Sequence, residues 1–223
     1  MDNKKIAIVM CVNDEHYVQE QMYYMQHLEL PAEYTLEVIP IRNAASMTSG
    51  YNRGMMQSDA KYKIYIHQDV FIVYEHMIEK LLYLFQNEQI GMIGMVGTPC
   101  LPENSIMWEK PRCGRLYYNA IYEAGESWIG KVKEPYQEVE AIDGFFMATQ
   151  YDIWWREDVF DKWDFYDISQ CMEFRKKGWK IIVPHTDTSW CIHDDGFMNL
   201  KYYFEERRKF RKEYRNGTNR ERE

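Results

Sequence analysis

The sequence predicts an α/β protein with a mostly parallel central sheet flanked by helices. From residue 5 to residue 97, apolar segments of strand length alternate with segments of helical periodicity. Alternation of this kind is typical of parallel sheets with helices on both faces. The apolar segments are near-continuous rather than alternating, as expected of buried strands. A chain of 223 residues with 46% hydrophobic content can also bury a sizeable core.

The predicted strands are apolar runs bounded by polar or turn-forming residues. The fifth of them is interrupted by a polar Asp143-Gly144 pair. In chain order they cover residues 5–12, 34–41, 62–67, 90–97, 138–149, 180–185 and 189–196, the last of them a short strand or a turn.

The predicted helices lie between these strands and after the last one. The first is stopped by Pro31, the second is weakened by Gly50 and Gly54, and the fourth ends near Gly178. The third has apolar residues at helical spacing on one face. Their ranges are 15–30, 46–58, 74–88, 166–179 and 199–215.

Residues 98–138 differ from the rest of the chain. They are rich in proline, glycine, tryptophan and tyrosine, which predicts long loops or a hairpin. No composition break marks a linker, so we expect one domain over 1–223. Within it we distinguish the segments 1–97, 98–197 and 198–223, the last of them a charged helix or tail.

Charge and cysteine content exclude several classes of protein. A net charge of −8 argues against wholesale nucleic-acid binding, although residues 201–223 carry nine Lys/Arg against five Asp/Glu. This basic segment predicts either contact with anionic lipid or an acidic partner, or simply a solvated helix face. Five scattered cysteines without a CxxC pair indicate reduced thiols and a cytoplasmic location. No stretch reaches the roughly 18 to 20 apolar residues of a membrane span.

Polar residues follow three of the predicted strands. Asn13 and Asp14 follow the first, Arg42 follows the second, and the His67-Gln68-Asp69 triplet follows the third. Ligands of parallel sheets bind beyond the carboxyl ends of the strands, so these residues should converge on one crevice.

A divalent metal is one interpretation of the triplet. Mg²⁺ and Mn²⁺ prefer carboxylate oxygens and share their coordination shell with substrate phosphates, so Asp69 suits either ion. His67 would be a further ligand or would bond to a phosphate. The alternative is that Asp69 caps a turn and His67 is a structural residue.

Further potential site residues lie in the second half. Asp167 with Gln170 matches a capping box, and Asp167 could equally be a general base, with Asp164 nearby. Asp143 precedes a glycine that allows close backbone approach. His193 could complete a metal site, although a lone histidine is more often structural.

Taken in order, these segments resemble the GT-A glycosyltransferases of the family 2 type. The closest likeness is to a glycosyltransferase-like branch whose strand ends in His-Gln-Asp rather than Asp-x-Asp. The resemblance is carried by YNRGMMQSDAKYKIYIHQDVFI (51–72), AIDGFFMATQYDIW (141–154), FDKWDFYDISQCMEFRKKGWKIIVPH (160–185) and CIHDDG (191–196).

The resemblance implies a GT-A (nucleotide-diphospho-sugar transferase) fold, in which 1–97 would form a nucleotide-binding half and 98–197 an acceptor and catalytic half. It also implies transfer of a sugar from a UDP- or GDP-linked donor to a saccharide or other hydroxyl acceptor. Asp69 would be the metal-binding aspartate, with Mn²⁺ or Mg²⁺, and His67 replaces the first aspartate of the motif. His193 would reach the metal or the diphosphate.

The resemblance also assigns the catalytic and donor residues. Asp167 would be the base of an inverting transfer, and Asp143 would line the sugar and acceptor site. The donor would be bound by Asn13, Asp14 and His67, and we add Arg42 and Asn52 as weaker members of that set. The usual acidic turn after the second strand is replaced here by PIRNAAS (40–46).

Two other functions are compatible with the same residues. A metal-dependent hydrolase would gather His67, Asp69, His185, Asp187 and His193 around one or two ions. A non-catalytic domain would keep the fold and bind a nucleotide or a sugar.

Overall fold

The fold is described from a computed structural model, which covers residues 1–120, 123–194, 196 and 199–215. The strands, in chain order, are β1 (Asp2–Val12), β2 (Thr35–Arg42), β3 (Ala60–Ile66), β4 (Val70–Ile72), β5 (Ile90–Gly94), β6 (Val96–Thr98), β7 (Cys113–Ala120), β8 (Glu123–Gly130), β9 (Tyr136–Val139), β10 (Ala141–Ile142), β11 (Phe146–Thr149), β12 (Lys180–Pro184) and β13 (Cys191–His193). The helices are α1 (Glu15–Met25), α2 (Met47–Gln57), α3 (Met77–Phe85), α4 (Tyr166–Lys176) and α5 (Tyr203–Tyr214), with a 3₁₀ turn at Met107–Glu109.

The larger sheet has seven strands in the order β2-β1-β3-β11-β5-β12-β9. Strands β2, β1, β3, β5 and β12 run in one direction, while β11 and β9 run in the other. This arrangement confirms the predicted α/β class with its mostly parallel central sheet. It also aligns the carboxyl ends of β1 and β3, since Met10 pairs with Ile66.

The smaller sheet is built from short strands in the order β10-β6-β7-β13-β4, with β8 added alongside β7. Strand β4 follows directly after β3 in the chain, and β13 pairs with it in antiparallel register. The smaller sheet therefore brings a segment near residue 193 to the end of β3.

Helix α2 lies unusually close to β1 because of two glycines. A Cβ atom on Gly50 would lie 2.2 Å from the Cys11 sulfur, and one on Gly54 would lie 2.2 Å from Val9 Cγ1. The glycines that weaken the helical pattern in the sequence thus permit close helix–sheet packing. At the amino end of α2, the Ser46 hydroxyl accepts a hydrogen bond from the Ser49 N–H, and this cap stabilises the helix despite its two glycines.

Two apolar clusters cover the faces of the larger sheet. One includes α2 and α4 and the buried Phe210 of α5, so the charged C-terminal helix is anchored to the body. The other includes α3, whose apolar stripe is buried as its periodicity predicts. Each cluster buries apolar side chains on one face of the sheet, and this burial stabilises the sheet.

Several predicted elements differ from the observed ones. The strand predicted over 90–97 is divided at Met95 into β5 and β6, which belong to different sheets. The strand predicted over 138–149 is three short strands, because the chain changes sheets at Glu140 and turns at Asp143-Gly144. The 98–138 region contains the β7–β8 hairpin. No helix within the described residues is long and apolar enough to cross a bilayer.

Candidate functional site

A cavity of about 380 Å³ opens at the carboxyl ends of β1, β2 and β3. Its lining comes from the three segments in which the sequence predicts a crevice, together with the start of α2 and one exposed tryptophan. The lining residues are Cys11, Val12, Asn13, Asn43, Ala44, Met47, His67, Gln68, Asp69 and Trp163.

Gln68 holds two walls of this cavity together. Its Oε1 accepts hydrogen bonds from the backbone N–H groups of Asn13 at 2.9 Å and Asp14 at 3.1 Å. Its Nε2 donates to Asn13 Oδ1. The Nε2 of the buried Gln21, in α1, donates hydrogen bonds to the backbone carbonyls of His67 and Gln68, at 2.7 and 2.8 Å. The turn after β3 is therefore fixed by side-chain amides from two other segments.

Three potential metal ligands meet at one side of the cavity. The ligand atoms of His67, Asp69 and His193 lie within 4.8 Å of one another. Asp69 Oδ1 is 3.8 Å from His67 Nδ1 and 3.8 Å from His193 Nε2. The structure thus brings together residues that are more than a hundred positions apart in the sequence.

The register of β13 explains how His193 reaches this point. His193 pairs with Val70 across β13 and β4, and the Asp194 N–H donates to the Asp69 carbonyl at 2.9 Å. The His193 ring stacks on Phe145 with centroids 5.1 Å apart. The neighbouring Asp195 of the sequence motif lies outside the described residues.

The electrostatics of the cluster suit a cation. Burial, and secondarily His193, lower the pKa of His67 to about 3, so its imidazole is neutral. Burial also raises the pKa of Asp69, an effect that His193 opposes. Asp69 Oδ1 is buried and accepts no hydrogen bond. A buried carboxylate oxygen without a donor is energetically costly and is normally satisfied by a proton or a cation.

We tested whether these residues fit a divalent metal. Two atoms bound to one ion at about 2.1 Å each lie at most about 4.2 Å apart. Both 3.8 Å separations from Asp69 Oδ1 are within this limit, and the two histidine ligand atoms lie within 4.8 Å of each other, so binding of one ion needs at most a small shift of an imidazole. Two imidazoles with one carboxylate are a usual donor set for first-row transition metals. The cluster therefore fits a single ion such as Mn²⁺ better than Mg²⁺, which prefers oxygen ligands.

The second half of the site is built around the Asp143-Gly144-Phe145 turn. The Phe145 carbonyl accepts from the His67 N–H at 3.1 Å, which attaches this turn to the end of β3. A Cβ atom on Gly144 would lie 2.1 Å from the Tyr166 hydroxyl and 2.9 Å from Asp167 Cβ. Gly144 therefore allows this turn to lie directly against the start of α4.

Asp167 lies in the first turn of α4, partly buried beside Asp143. Burial, and secondarily the Asp143 charge, raise the pKa of Asp167 to about 7. Its Oδ1 accepts a hydrogen bond from the Ile168 N–H at 2.8 Å, which holds the carboxylate in place. A carboxylate that titrates near neutral pH is suited to proton transfer.

The capping-box interpretation of Asp167 and Gln170 is wrong. Phe165, in a left-handed conformation, precedes the helix without a side-chain cap, and Asp167 is already its second residue. Gln170 donates instead to the Ile153 carbonyl at 2.8 Å. The pattern fails because the chain enters α4 through an unusual backbone conformation that spacing does not reveal.

The predicted donor residues are not all brought to the cavity. Asn52 is buried, and its side-chain amide makes two 2.9 Å hydrogen bonds with the backbone of Trp155. We therefore correct the expectation for Asn52 and assign it a structural role. Arg42 lies at the rim, where its guanidinium forms a two-point ion pair with Glu15 at 2.6 and 2.8 Å. The exposed Asp14 is the N-cap of α1, bonded to the His16 N–H.

The ligand set required by a hydrolase is only partly assembled. His185 lies 3.8 Å from Glu134 near the end of β12, and Arg115 donates to the backbone carbonyl of Asp187. The clusters of potential ligands found among the described residues include neither of them.

Sequence reasoning missed three residues of the site. Gln68 is singled out in the sequence only within the triplet, and Tyr166 and Trp163 only within the matching segment 160–185. Tyr166 forms a hydrogen bond with His67 Nε2, and Trp163 lines the cavity. The adjacency of Tyr166 to Asp167 is visible in the sequence, but its contact with His67 depends on the fold.

A protein-family model described as "Glycosyltransferase like family" matches residues 7–214, which is nearly the whole chain. The chain belongs to this glycosyltransferase-like family. No curated protein matches the sequence.

Solved structures show that the fold is GT-A. The 1–349 fragment of S. aureus TarS in complex with UDP aligns with a TM-score of 0.56 at 11% identity, covering 94% of this chain and 65% of that one. The same fragment in complex with UDP-GlcNAc aligns at 0.54 and 11% identity, over 91% and 64%. The mannosyltransferase PcManGT from Pyrobaculum calidifontis, in complex with GDP-Man and Mn²⁺, aligns at 0.55 and 9% identity, over 85% and 56%. The chain therefore spans somewhat less than two thirds of the length of these structures.

Proposed function

We propose that the chain transfers a sugar from a nucleoside-diphosphate sugar to a hydroxyl acceptor, with a bound divalent metal and with inversion at the anomeric carbon. The observation that carries this proposal is the His67–Asp69–His193 cluster, with its unpartnered Asp69 oxygen, at the side of the cavity. Support also comes from the family and from structures of the same fold that contain UDP, UDP-GlcNAc, or GDP-Man with Mn²⁺.

The donor diphosphate would lie at the metal cluster. Asp69, His67 through Nδ1, and His193 through Nε2 would hold the ion, and Mn²⁺ suits these donors best. A bound divalent ion neutralises the negative charge that develops on the leaving diphosphate. The cavity lined by Asn13, Asn43 and Trp163 would then hold the nucleoside portion.

Asp167 would act as the general base. Its raised pKa, about 7, allows it to be ionised at neutral pH and still accept a proton from an acceptor hydroxyl. Asp143, close enough to raise that pKa, would face the transferred sugar or the acceptor. The hydroxyl would attack the anomeric carbon on the face opposite the nucleoside diphosphate, whose bond to that carbon breaks as Asp167 takes the proton, and the configuration is thereby inverted.

The acceptor is proposed only as a class, a saccharide or another hydroxyl compound. A cytoplasmic location is proposed because all five cysteines are free thiols in the structure. Helix α5 presents exposed Arg208, Arg211 and Lys212, which supports the proposal of contact with an anionic surface. Residues 216–223 of the predicted basic tail lie outside the described part of the chain.

The experiment that tests this function is release of nucleoside diphosphate from a panel of UDP- and GDP-linked sugars, with Mn²⁺ and a mixture of saccharide acceptors. We expect release that requires both Mn²⁺ and an acceptor, and that is abolished in Asp69→Ala. Asp167→Asn should lose turnover by about 10²-fold or more while it still binds the nucleotide.

His185→Ala is the matched control, because it removes a histidine of the hydrolase set that lies outside the cluster. It should keep wild-type turnover. Equal release with and without acceptor would instead support a hydrolase, and nucleotide binding without turnover on any donor would support a non-catalytic binding domain.

A further inference from the structure

Tyr166 connects the two halves of the site. Its hydroxyl forms a hydrogen bond with His67 Nε2, on the opposite side of the imidazole from Nδ1, which faces Asp69. Tyr166 is buried, with 4% of its surface exposed, and is the residue immediately before Asp167. Tyr166, which contacts the metal cluster through His67, is therefore adjacent in the sequence to the proposed base Asp167.

The chemistry of a ligating histidine defines what this bond must do. An imidazole that binds a cation through Nδ1 needs its lone pair there, so its proton must be on Nε2. The Tyr166 hydroxyl is neutral at ordinary pH and has lone pairs that can accept this proton. The same hydroxyl can donate to a bare Nε2, so the bond serves metal binding in the tautomer whose Nε2–H it accepts, which leaves Nδ1 free beside Asp69.

The position of the hydroxyl is fixed by its surroundings. Gly144 lies against it so closely that a Cβ there would overlap the oxygen, at 2.1 Å. The Tyr166 ring packs among Tyr51 and Trp155, with centroids 5.8 and 6.2 Å away. These contacts restrict the Tyr166 ring and hold its hydroxyl beside His67.

We propose that Tyr166 is a positioning residue that sets the tautomer and orientation of His67 for metal binding. This inference rests on the proposed function, since it assumes that His67 ligates a metal. Groups that orient a ligating histidine typically contribute about 10- to 100-fold to metal affinity.

The test is the affinity of the full chain for Mn²⁺ alone, measured from the electron paramagnetic resonance signal of free Mn²⁺. Asp69→Ala defines the background, which matters because exposed Glu29 and Glu75 and half-buried His76 form another group of potential ligands. Tyr166→Phe should weaken the Asp69-dependent binding by about 10- to 100-fold.

Tyr51→Phe is the matched control. It also removes one hydroxyl from the same aromatic cluster, but that hydroxyl donates to the Ile66 carbonyl at 3.2 Å rather than to a histidine. It should change Mn²⁺ affinity by less than about twofold. A purely structural role of Tyr166 predicts similar effects for both variants.

A spectroscopic reading tests the tautomer directly. In metal-free protein, ¹⁵N chemical shifts of the His67 ring should show a proton on Nε2, and Tyr166→Phe should shift the population toward the Nδ1–H form. Unchanged affinity and an unchanged tautomer in Tyr166→Phe, with wild-type binding that requires Asp69, would overturn this inference alone. Absence of Asp69-dependent Mn²⁺ binding in wild type would overturn the metal assignment and this inference with it.

Discussion

Asp167→Asn should change the pH dependence of stability as well as abolish turnover. The substitution keeps the size of the side chain and an oxygen for the Ile168 N–H, but it removes the titrating group. In the folded apoprotein the pKa of Asp167 is raised from 3.8 to about 7, by burial first and by Asp143 second. The folded state therefore holds a proton over a pH range in which the unfolded state has lost it.

The sign and size of this pH dependence of the free energy of unfolding follow from proton linkage. Between these two pKa values, folding binds a proton, so the contribution of Asp167 to the free energy of unfolding falls by about 1.4 kcal/mol per pH unit as pH rises. The full loss approaches about 4 kcal/mol above pH 7, and about 2.5 kcal/mol of it occurs between pH 5 and pH 8. Asparagine does not titrate, so the stability of the variant relative to wild type should rise by about 2.5 kcal/mol from pH 5 to pH 8.

The assay is urea unfolding of metal-free and nucleotide-free protein at several pH values from 5 to 8. Asp158→Asn is the control: the ion pair with Arg156 lowers the pKa of that carboxyl below 3.8, so it is ionised in both the folded and the unfolded state throughout this range, and the stability difference from wild type should stay constant from pH 5 to pH 8. If the stability difference between Asp167→Asn and wild type stayed constant from pH 5 to pH 8, the raised pKa and the base assignment built on it would be refuted.

Three further substitutions test individual contacts of the site. Gln68→Ala should weaken nucleotide binding by up to about tenfold, because it removes the side chain that holds the Asn13 backbone against the turn after β3. Calorimetric titration measures this affinity, and an unchanged value would contradict the bridging role. Trp163→Ala should also reduce nucleotide affinity, by about tenfold, because it removes a ring on which the nucleotide can stack. Trp154→Ala removes a similarly exposed tryptophan outside the cavity and should leave the affinity unchanged. Equal effects of the two substitutions would exclude stacking at Trp163. Asn52→Ala should lower the free energy of unfolding by about 1 to 3 kcal/mol and leave the nucleotide affinity of the folded protein unchanged, and a specific loss of affinity would restore Asn52 to the donor set.

Periodicity predicted most of the fold because burial is a local signal. Strands β1, β2, β3 and β12 and the start of α4 lie within a few residues of their predicted bounds. Prediction failed where the chain changes sheets, as at Met95 and at Asp143-Gly144. There the strand is broken by pairing with distant partners, and a continuous apolar run cannot reveal that.

The site was predictable where it lies at strand ends and unpredictable where it depends on tertiary contacts. The convergence of Asn13, His67 and Asp69 follows from the topology of a parallel sheet. The burial of Asn52 against the Trp155 backbone does not follow from its sequence neighbourhood. The contact of Tyr166 with His67 arises only because Gly144 lets α4 approach the end of β3.

The most direct test of the donor site is calorimetric titration of UDP and of GDP, each with and without Mn²⁺, into wild type and Asp69→Ala. The proposed function predicts that one nucleotide binds wild type in the presence of Mn²⁺, and that both omission of the metal and loss of the Asp69 carboxylate abolish this binding. Binding of neither nucleotide, or Mn²⁺-dependent binding that survives in Asp69→Ala, would contradict a donor site at His67-Gln68-Asp69.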